Sequence, residues 1–208
     1  LGQVRELELR TAMSHPNIDE IHFLDYRDSG MVGTAENADP RNLHNAPLDE
    51  VIGKVVRIIR QVRPQVLFTF DPKGGYGHPD HIKIHHATMA AFDKAGDPAA
   101  YPEQLKEGLA PYTPQKLYWN AFSMEFFQEL ARYFREQGID TSEFGAFDPE
   151  QRGTPVEHIT TKIDVRPYLQ IKESAWAAHA SQHNPNSIFG RAPREMFVKW
   201  QSMENKIG

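Results

Sequence analysis

Apolar residues recur three and four positions apart in six stretches of the chain, a spacing that places them on one face of an α-helix. The clearest case is residues 48–62, where valine and isoleucine recur until Pro64 ends the pattern. The predicted helices are residues 2–14, 48–62, 82–94, 124–136, 169–180 and 194–203.

Short apolar runs between these helices predict buried β-strands, of which Val66-Leu67-Phe68-Thr69-Phe70 is the clearest. The predicted strands are residues 21–24, 66–70, 116–122 and 159–165, the last as an edge strand. Alternating helices and strands predict an α/β fold with a Rossmann-like, mostly parallel sheet flanked by helices in three layers. With 208 residues and no convincing internal boundary, we expect one domain over residues 1–208.

The chain opens on a predicted helix, residues 2–14, with no initiating methionine. Parallel sheets usually begin with a strand, so we expect that the first strand of the sheet is missing from this sequence. Two polar segments, residues 25–47 and 138–153, are longer than ordinary connections, and we expect the first of them to be a functional loop.

Composition excludes several classes of function. A net charge of -5 without a Lys/Arg cluster argues against binding to nucleic acid. The chain has no cysteine, which excludes disulfides and thiolate zinc sites and fits a cytoplasmic protein. No apolar stretch is long enough to span a membrane, and no signal peptide is visible.

The segment 74–81, Gly-Gly-Tyr-Gly-His-Pro-Asp-His, carries the strongest candidate chemistry. It follows the strand 66–70 and leads into the helix 82–94, and open α/β folds bind ligands at such junctions. Four of the ten histidines lie between positions 78 and 86, and imidazole is the commonest protein metal ligand. Asp80 is suited to orienting an imidazole or accepting a proton from water, and the Tyr76 hydroxyl to donating to an oxyanion.

A His-x-x-His pair alone often occurs by chance, and its position in a glycine turn after a strand is what strengthens the metal-site hypothesis. His85 lies four residues after His81 and could face the same way. For His85 and His86 we favour helix packing or a polar helix face. Catalytic zinc usually takes three protein ligands, so if His81 is one, the others must come from elsewhere.

Residues 70–81 resemble the second signature of the LmbE-like, or PIG-L-type, zinc-dependent de-N-acetylases. This family includes the mycothiol deacetylase and the mycothiol S-conjugate amidase. Residues 23–31 are similar to the family's substrate-side loop, and residues 178–182 to its C-terminal helix motif. The resemblance covers residues 2–190 of the chain.

The resemblance implies one Zn²⁺ per chain, or another divalent metal, with His81 as a ligand and Asp80 as its neighbour. It implies that His78 stabilises the tetrahedral intermediate or protonates the leaving amine, and that Tyr76 helps to hold the oxyanion.

The resemblance also implies substrate-binding residues. Asp28 would contact substrate hydroxyls, Arg27 and Ser29 lie in the same loop, and His179 would line the pocket. Family members are often oligomeric, so a homo-oligomer is expected by analogy.

The family's first signature, His-Pro-Asp-Asp-Glu, supplies further zinc ligands and the general base, and it is not found in this chain. Residues 14–20 look similar, but no carboxylate follows Pro16, and the segment follows a charged helix rather than a strand. We interpret His15 as part of a helix-ending turn. The missing ligands are expected in residues that precede this sequence.

The leading hypothesis is zinc-dependent hydrolysis of an N-acyl amide, such as N-acetyl, on a small amino sugar or glycoconjugate. A thiol-conjugate amidase of the same family is a second hypothesis, and a non-catalytic carbohydrate-binding relative or an inactive fragment is a third. A metal-free hydrolase is disfavoured, because the chain has neither a Gly-x-Ser-x-Gly elbow nor a cysteine nucleophile.

Overall fold

The computed structural model describes residues 1–30, 32–140, 152–184, 187 and 190–208. Its helices are α1 (Gly2–Ser14), α2 (Leu48–Val62), α3 (Gly74–Gly77), α4 (Pro79–Lys94), α5 (Pro102–Lys106), α6 (Met124–Glu136), α7 (Leu169–Ala177) and α8 (Arg194–Gln201). Its strands are β1 (Val66–Thr69), β2 (Lys116–Asn120), β3 (Thr161–Asp164) and β4 (Met203–Ile207). Short 3-10 turns cover Ala35–Ala38, Val156–His158, Arg166–Tyr168 and Ala180–Gln182.

The chain divides into two compact units. The α4 unit comprises residues 23–121 and 206–208, and the α6 unit comprises residues 1–22 and 122–205. The single domain over residues 1–208 stays a prediction. Within the described residues, no helix is long and apolar enough to cross a membrane.

In the α4 unit, helices α2 and α4 pack together over an aliphatic core. The apolar positions of α2 recur at helical spacing, and α2 ends where Arg63 adopts a left-handed conformation (φ 54°) before Pro64. The facing side of α4 presents alanines, whose small side chains allow the two helices to approach closely. The buried apolar residues are Ala46, Val51, Ile52, Val56, Ile59, Ala87, Ala91 and Ala95.

The strands are hydrogen-bonded in the order β1-β2-β4-β3. Strand β1 runs parallel to β2, with Val66 opposite Lys116 and Thr69 opposite Trp119. Strand β2 pairs antiparallel with β4, so the sheet is mixed. Because β1 and β2 are parallel, both end at the same edge of the sheet, where α/β folds place their ligands.

In the α6 unit, an aromatic cluster covers the buried face of α6. The Ser123 side chain caps this helix by accepting a hydrogen bond from the Phe126 backbone N–H (3.3 Å). Leu130 and Phe134 are fully buried on the same face. Trp200 of α8 stacks on Phe126 with 4.9 Å between ring centroids, so α8 closes the cluster.

The structure confirms the α/β fold with helices flanking a sheet, and α2 and α6 have the predicted bounds. Helix α4 begins at Pro79 instead of residue 82, because His78 caps it. Helices α7 and α8 end at Ala177 and Gln201, before their predicted ends. Most of the polar segment 138–153 lies outside the described residues.

The predicted strand at residues 21–24 is wrong, because this segment forms no helix or strand. Asp25 has a positive φ (59°), which turns the chain out of an extended course. The Leu24 carbonyl accepts a hydrogen bond from Lys54 Nζ (2.9 Å), a side-chain donor in place of a strand neighbour. Strand β4 was not predicted, because its polar sequence has no alternating apolar pattern.

Helix α2 also carries a buried charged residue, Arg60, which is only 2% exposed. Among the residues that the structure describes, its guanidinium donates only to neutral oxygens. These are the carbonyls of Ala95 (3.1 Å), Asp97 (2.9 Å), Ala100 (2.9 Å) and Tyr101 (3.2 Å), and Gln104 Oε1 (3.2 Å). All five acceptors belong to residues 95–104. Arg60 therefore links the segment that follows α4 to helix α2.

Arg60→Met keeps the length of the side chain but removes every donor. We expect it to lower the free energy of unfolding by about 3 kcal/mol or more, because five oxygen acceptors lose their donor at once. Arg57→Met is the matched control on the same helix, since Arg57 forms a surface ion pair with Glu107 worth about 0–1 kcal/mol. Denaturant unfolding of both variants measures the difference, and equal losses would contradict the role given to Arg60.

Candidate active site

The turn between β1 and α4 is built by an aspartate and three glycines. Asp71 Oδ1 accepts hydrogen bonds from the backbone N–H groups of Lys73 (2.9 Å) and Gly75 (2.9 Å). Gly74, Gly75 and Gly77 all have positive φ (64°, 70° and 95°), which side chains other than glycine rarely adopt. The glycines of the motif thus serve the sharp turn, as the sequence suggested.

His78 ends this turn and caps α4. Its Nδ1 accepts a hydrogen bond from the Asp80 backbone N–H (3.2 Å), and Pro79 occupies the first turn of the helix. Because Nδ1 acts as an acceptor, the proton of the neutral imidazole lies on Nε2. His78 therefore presents an N–H donor at Nε2, and its residue is only 9% exposed.

Asp28, His78 and Asp80 form a group that we call the donor trio. One nitrogen or oxygen from each lies within 4.8 Å of the others, which is close enough to hold a metal ion. His78 Nε2 lies 3.9 Å from Asp28 Oδ1. Two carboxylates around one imidazole provide oxygen donors for a cation and a partner that can pass a proton.

Asp80 is anchored from the loop on the opposite side of the site. Its Oδ2 accepts a hydrogen bond from the Ser29 backbone N–H (3.0 Å). Its Oδ1 is buried and has no hydrogen-bond partner among the residues that the structure describes. A buried carboxylate oxygen without a partner is costly, and a bound cation would compensate for it.

His81, the predicted metal ligand, lies beside the trio without belonging to it in the described structure. Its Nδ1 lies 3.2 Å from the Gly74 carbonyl oxygen, which can only accept, so the proton lies on Nδ1 and the lone pair on Nε2. Metal-binding histidines typically fix their tautomer in this way. Burial is the main cause that lowers the pKa of His81 below its ordinary value of 6.5.

Tyr76 lies edge-on to both imidazoles, with its ring centroid 6.0 Å from that of His78 and 5.3 Å from that of His81. Its residue is 45% exposed, so the hydroxyl group remains within reach of a substrate. This position is compatible with the oxyanion role that the resemblance implies.

The loop residues predicted to bind substrate have different surroundings. Asp28 Oδ1 accepts the Gly30 backbone N–H (2.7 Å), and the side chain of Asp28 is 54% exposed. Ser29 is fully buried, and its hydroxyl donates to the Gly30 carbonyl oxygen (3.1 Å). Arg27 forms an ion pair with Asp39 (2.9 Å). Their roles toward a substrate stay predictions.

His179 belongs to the α6 unit, where its Nδ1 lies 3.3 Å from Gln182 Nε2. In the same unit, Glu8 accepts two hydrogen bonds from Ser181, one from its backbone N–H (2.7 Å) and one from its hydroxyl (2.6 Å). These contacts connect α1 to the predicted C-terminal motif. The pocket role of His179 stays a prediction.

Sequence reasoning missed the neighbours that hold the histidines. Asp28 was assigned to substrate, yet it also lies within reach of His78 as a potential metal donor. Phe70 stacks on His81, and His85 contacts the Phe70 carbonyl. The spacing of His81 and His85, four apart on α4, was the available signal that both contact the end of β1.

Comparison with known proteins identifies related sequences over most of the chain. A model of the PIG-L family, described as GlcNAc-PI de-N-acetylase, matches residues 1–92, which contain the whole donor trio. A curated relative from Streptomyces griseus, 1D-myo-inositol 2-acetamido-2-deoxy-alpha-D-glucopyranoside deacetylase, is 40% identical over 195 residues. The chain belongs to the PIG-L family.

Other curated relatives carry the same enzyme name. The Rhodococcus erythropolis protein is 42% identical over 196 residues and the Catenulispora acidiphila protein 38% identical over 189 residues. Each of the three alignments covers 88% of this PIG-L chain. The chain spans between 56% and 61% of the length of these three relatives.

Two solved structures share the fold of this PIG-L chain. N,N'-diacetylchitobiose deacetylase from Pyrococcus horikoshii superposes with a TM-score of 0.62 at 18% identity, covering 98% of this chain and 62% of that one. A conserved protein from Thermus thermophilus gives a TM-score of 0.59 at 17% identity, covering 100% and 74%. At these identities the likeness concerns the fold, and it supports the Rossmann-like α/β prediction.

Gly74→Ala tests the turn of this PIG-L chain. A Cβ at Gly74 would lie 2.9 Å from the Cβ of His81 and 2.9 Å from the backbone N of Ile82. Gly138 has nearly the same φ (66° against 64°), but a Cβ there meets nothing within 4 Å. We expect Gly138→Ala to cost about 1–2 kcal/mol from the left-handed backbone alone. Gly74→Ala should cost about 1–3 kcal/mol more. Equal losses in denaturant unfolding would show that the space beside His81 is not tight.

The pKa of His81 predicts a pH dependence of stability. The unfolded chain protonates His81 near the ordinary pKa of 6.5, whereas the folded chain does so only at lower pH. The free energy of unfolding should therefore fall as the pH decreases from 6.5 toward the folded pKa. Metal-free His81→Asn should show a shallower fall in denaturant titrations over this range. Identical pH profiles of the two proteins would contradict the burial of His81.

Proposed function

We propose that the chain is a metal-dependent amide hydrolase that removes the N-acetyl group from an amino sugar. The observation that carries this proposal is the convergence of Asp28, His78 and Asp80 within 4.8 Å, beside His81 at the end of β1. Such a group places oxygen donors for a metal beside an imidazole N–H that can donate to an oxyanion, as metal-dependent amide hydrolysis can use.

The protonation pattern of the two histidines assigns them different roles. His81 has a lone pair on Nε2 because its Nδ1 donates to Gly74, so it is suited to bind a metal. His78 has a hydrogen on Nε2 because its Nδ1 accepts from Asp80, so in the neutral form it is a donor. This assignment gives His78 to the substrate and makes His81 a metal donor, with the nearby carboxylates of Asp80 and Asp28 as further oxygen donors.

These donors fit zinc, which binds imidazole nitrogen and carboxylate oxygen in proteins. The buried Oδ1 of Asp80, without a hydrogen-bond partner among the described residues, is consistent with a cation at this place. Burial lowers the pKa of His81 and so favours the neutral form, which a ligand must have. When bound, zinc would polarise the acyl carbonyl and lower the pKa of water to about 7.

The side chains of the site would then act on the substrate. The Nε2–H of His78 would donate a hydrogen bond to the oxygen that becomes negative, and a carboxylate would pass the proton of the attacking water to the leaving amine nitrogen. The exposed Tyr76 hydroxyl would add a second donor to that oxygen. Asp28, half exposed at the rim, would contact sugar hydroxyl groups or complete the metal site.

The substrate proposal follows from the relatives, whose names specify deacetylation of a 2-acetamido-2-deoxy-glucopyranoside linked to myo-inositol. We infer an N-acetylglucosamine-containing glycoside for this chain. The chain spans only part of these relatives, so its substrate is to be measured on the protein itself. Cleavage of a thiol conjugate, or sugar binding without turnover, are the alternative outcomes of that measurement.

Two substitutions separate the roles of the histidines. We expect His81→Ala to lose most of the zinc, because it removes a ligand. His78→Ala should retain zinc but lose about 10²–10³ in turnover, because it removes one donor to the oxyanion. Metal content by mass spectrometry and acetate release from 1D-myo-inositol 2-acetamido-2-deoxy-alpha-D-glucopyranoside provide the two readouts.

His15→Ala is the control, since His15 lies in the segment that only superficially looks like the missing signature. It should leave both readouts unchanged. Chelation should abolish acetate release and added zinc should restore it. Full zinc occupancy in His81→Ala would refute the metal assignment, and zinc without acetate release in the unsubstituted chain would refute the deacetylase.

A further inference from the structure

Phe70, the residue directly after β1, lies flat against the imidazole of His81. The two ring centroids are 3.8 Å apart and the ring planes differ by 8°, a close parallel stack. One face of the imidazole is therefore covered by the phenyl ring. Tyr76 approaches edge-on with an interplanar angle of 79°, so the ring of His81 has little freedom to rotate.

His85 contacts the backbone of Phe70. Its Nδ1 lies 2.7 Å from the Phe70 carbonyl oxygen, so Nδ1 carries the proton and donates. His85 is only 5% exposed, and its ring lies edge-on to Trp119 of β2 at 5.8 Å. This part-buried hydrogen bond joins the residue that follows β1 to α4.

The two contacts work together because His81 and His85 are four residues apart on α4 and face the same way. The imidazole of His81 stacks on the ring of Phe70, and His85 donates a hydrogen bond to the Phe70 carbonyl. Helix α4 therefore contacts Phe70 at two points. Together with the bond from His81 Nδ1 to Gly74, this leaves one ring orientation, in which Nε2 alone is available.

We propose that Phe70 and His85 are positioning residues that hold His81 in the tautomer and orientation in which Nε2 binds the metal. The inference rests on the proposed function, which makes His81 a metal ligand. Neither residue touches the metal or the substrate in this assignment. Partners that orient metal-binding histidines typically contribute about 10–100-fold to metal affinity.

Paired substitutions test this proposal on the full chain. Phe70→Leu removes the flat ring and Phe70→Tyr keeps it. His85→Leu removes the donor, while His85→Asn places an amide N–H near the position of Nδ1. We expect zinc to bind about 10–100-fold more weakly to both leucine variants, measured by competition with a chromophoric chelator. The tyrosine and asparagine variants should bind zinc nearly as tightly as the unsubstituted chain.

Leu67→Ala separates positioning from general destabilisation. Leu67 packs against the aliphatic core from β1, three residues before Phe70, so its truncation weakens the fold near the site. We expect this variant to unfold at lower denaturant concentration while keeping its zinc affinity. A loss of zinc affinity equal to that of Phe70→Leu would overturn the proposal.

A second readout needs no metal. Long-range ¹H–¹⁵N spectra of the metal-free chain report which nitrogen of His81 is protonated. We expect the Nδ1–H form in the unsubstituted chain and a mixture of both tautomers in the two leucine variants. Unchanged tautomer populations with unchanged zinc affinity would overturn the positioning role.

His81→Ala distinguishes this failure from failure of the proposed function. If His81→Ala loses zinc while both leucine variants keep it, the positioning role is wrong and the metal assignment stands. If His81→Ala keeps zinc, the metal assignment is wrong and the positioning role falls with it.

Discussion

The cap at the start of α4 is the constraint on which the candidate site depends. His78 uses Nδ1 to close the helix and thereby turns Nε2 toward Asp28. The same cap sets where Asp80 and His81 emerge from the first turn of α4. Because α4 packs through alanines against α2, these side chains start from a rigid element, as catalytic geometry requires.

The loop opposite this helix is equally well fixed, although its sequence contains few apolar residues. Asn42 is fully buried, and its Nδ2 donates to the carbonyls of Glu36 (3.1 Å) and Asn37 (3.2 Å). Asp39 forms ion pairs with Arg27 and Arg41. A polar framework thus presents Asp28 and Ser29 to the site, while Leu43 and Ala46 attach the loop to the aliphatic core.

Local patterns in the sequence were sufficient to place α2, β1, α6 and the histidine turn, because each depends on spacing and capping within a few residues. Contacts between segments that are distant in the chain could not be predicted from the sequence. The bond from Ser29 to Asp80 uses a backbone N–H, which every residue except proline has, so no residue type marks it. The strand expected at residues 21–24 failed for the same reason, since pairing depends on neighbours that the local pattern does not specify.

The bond between Ser29 and Asp80 joins positions 51 residues apart. Closing such a span costs chain entropy before any contact is gained, so contacts of this kind tend to form after local helices. Helices α2 and α4 can therefore be in place while the donor trio is still open. Closure of the donor trio would then follow helix formation, a step that helix content alone does not report.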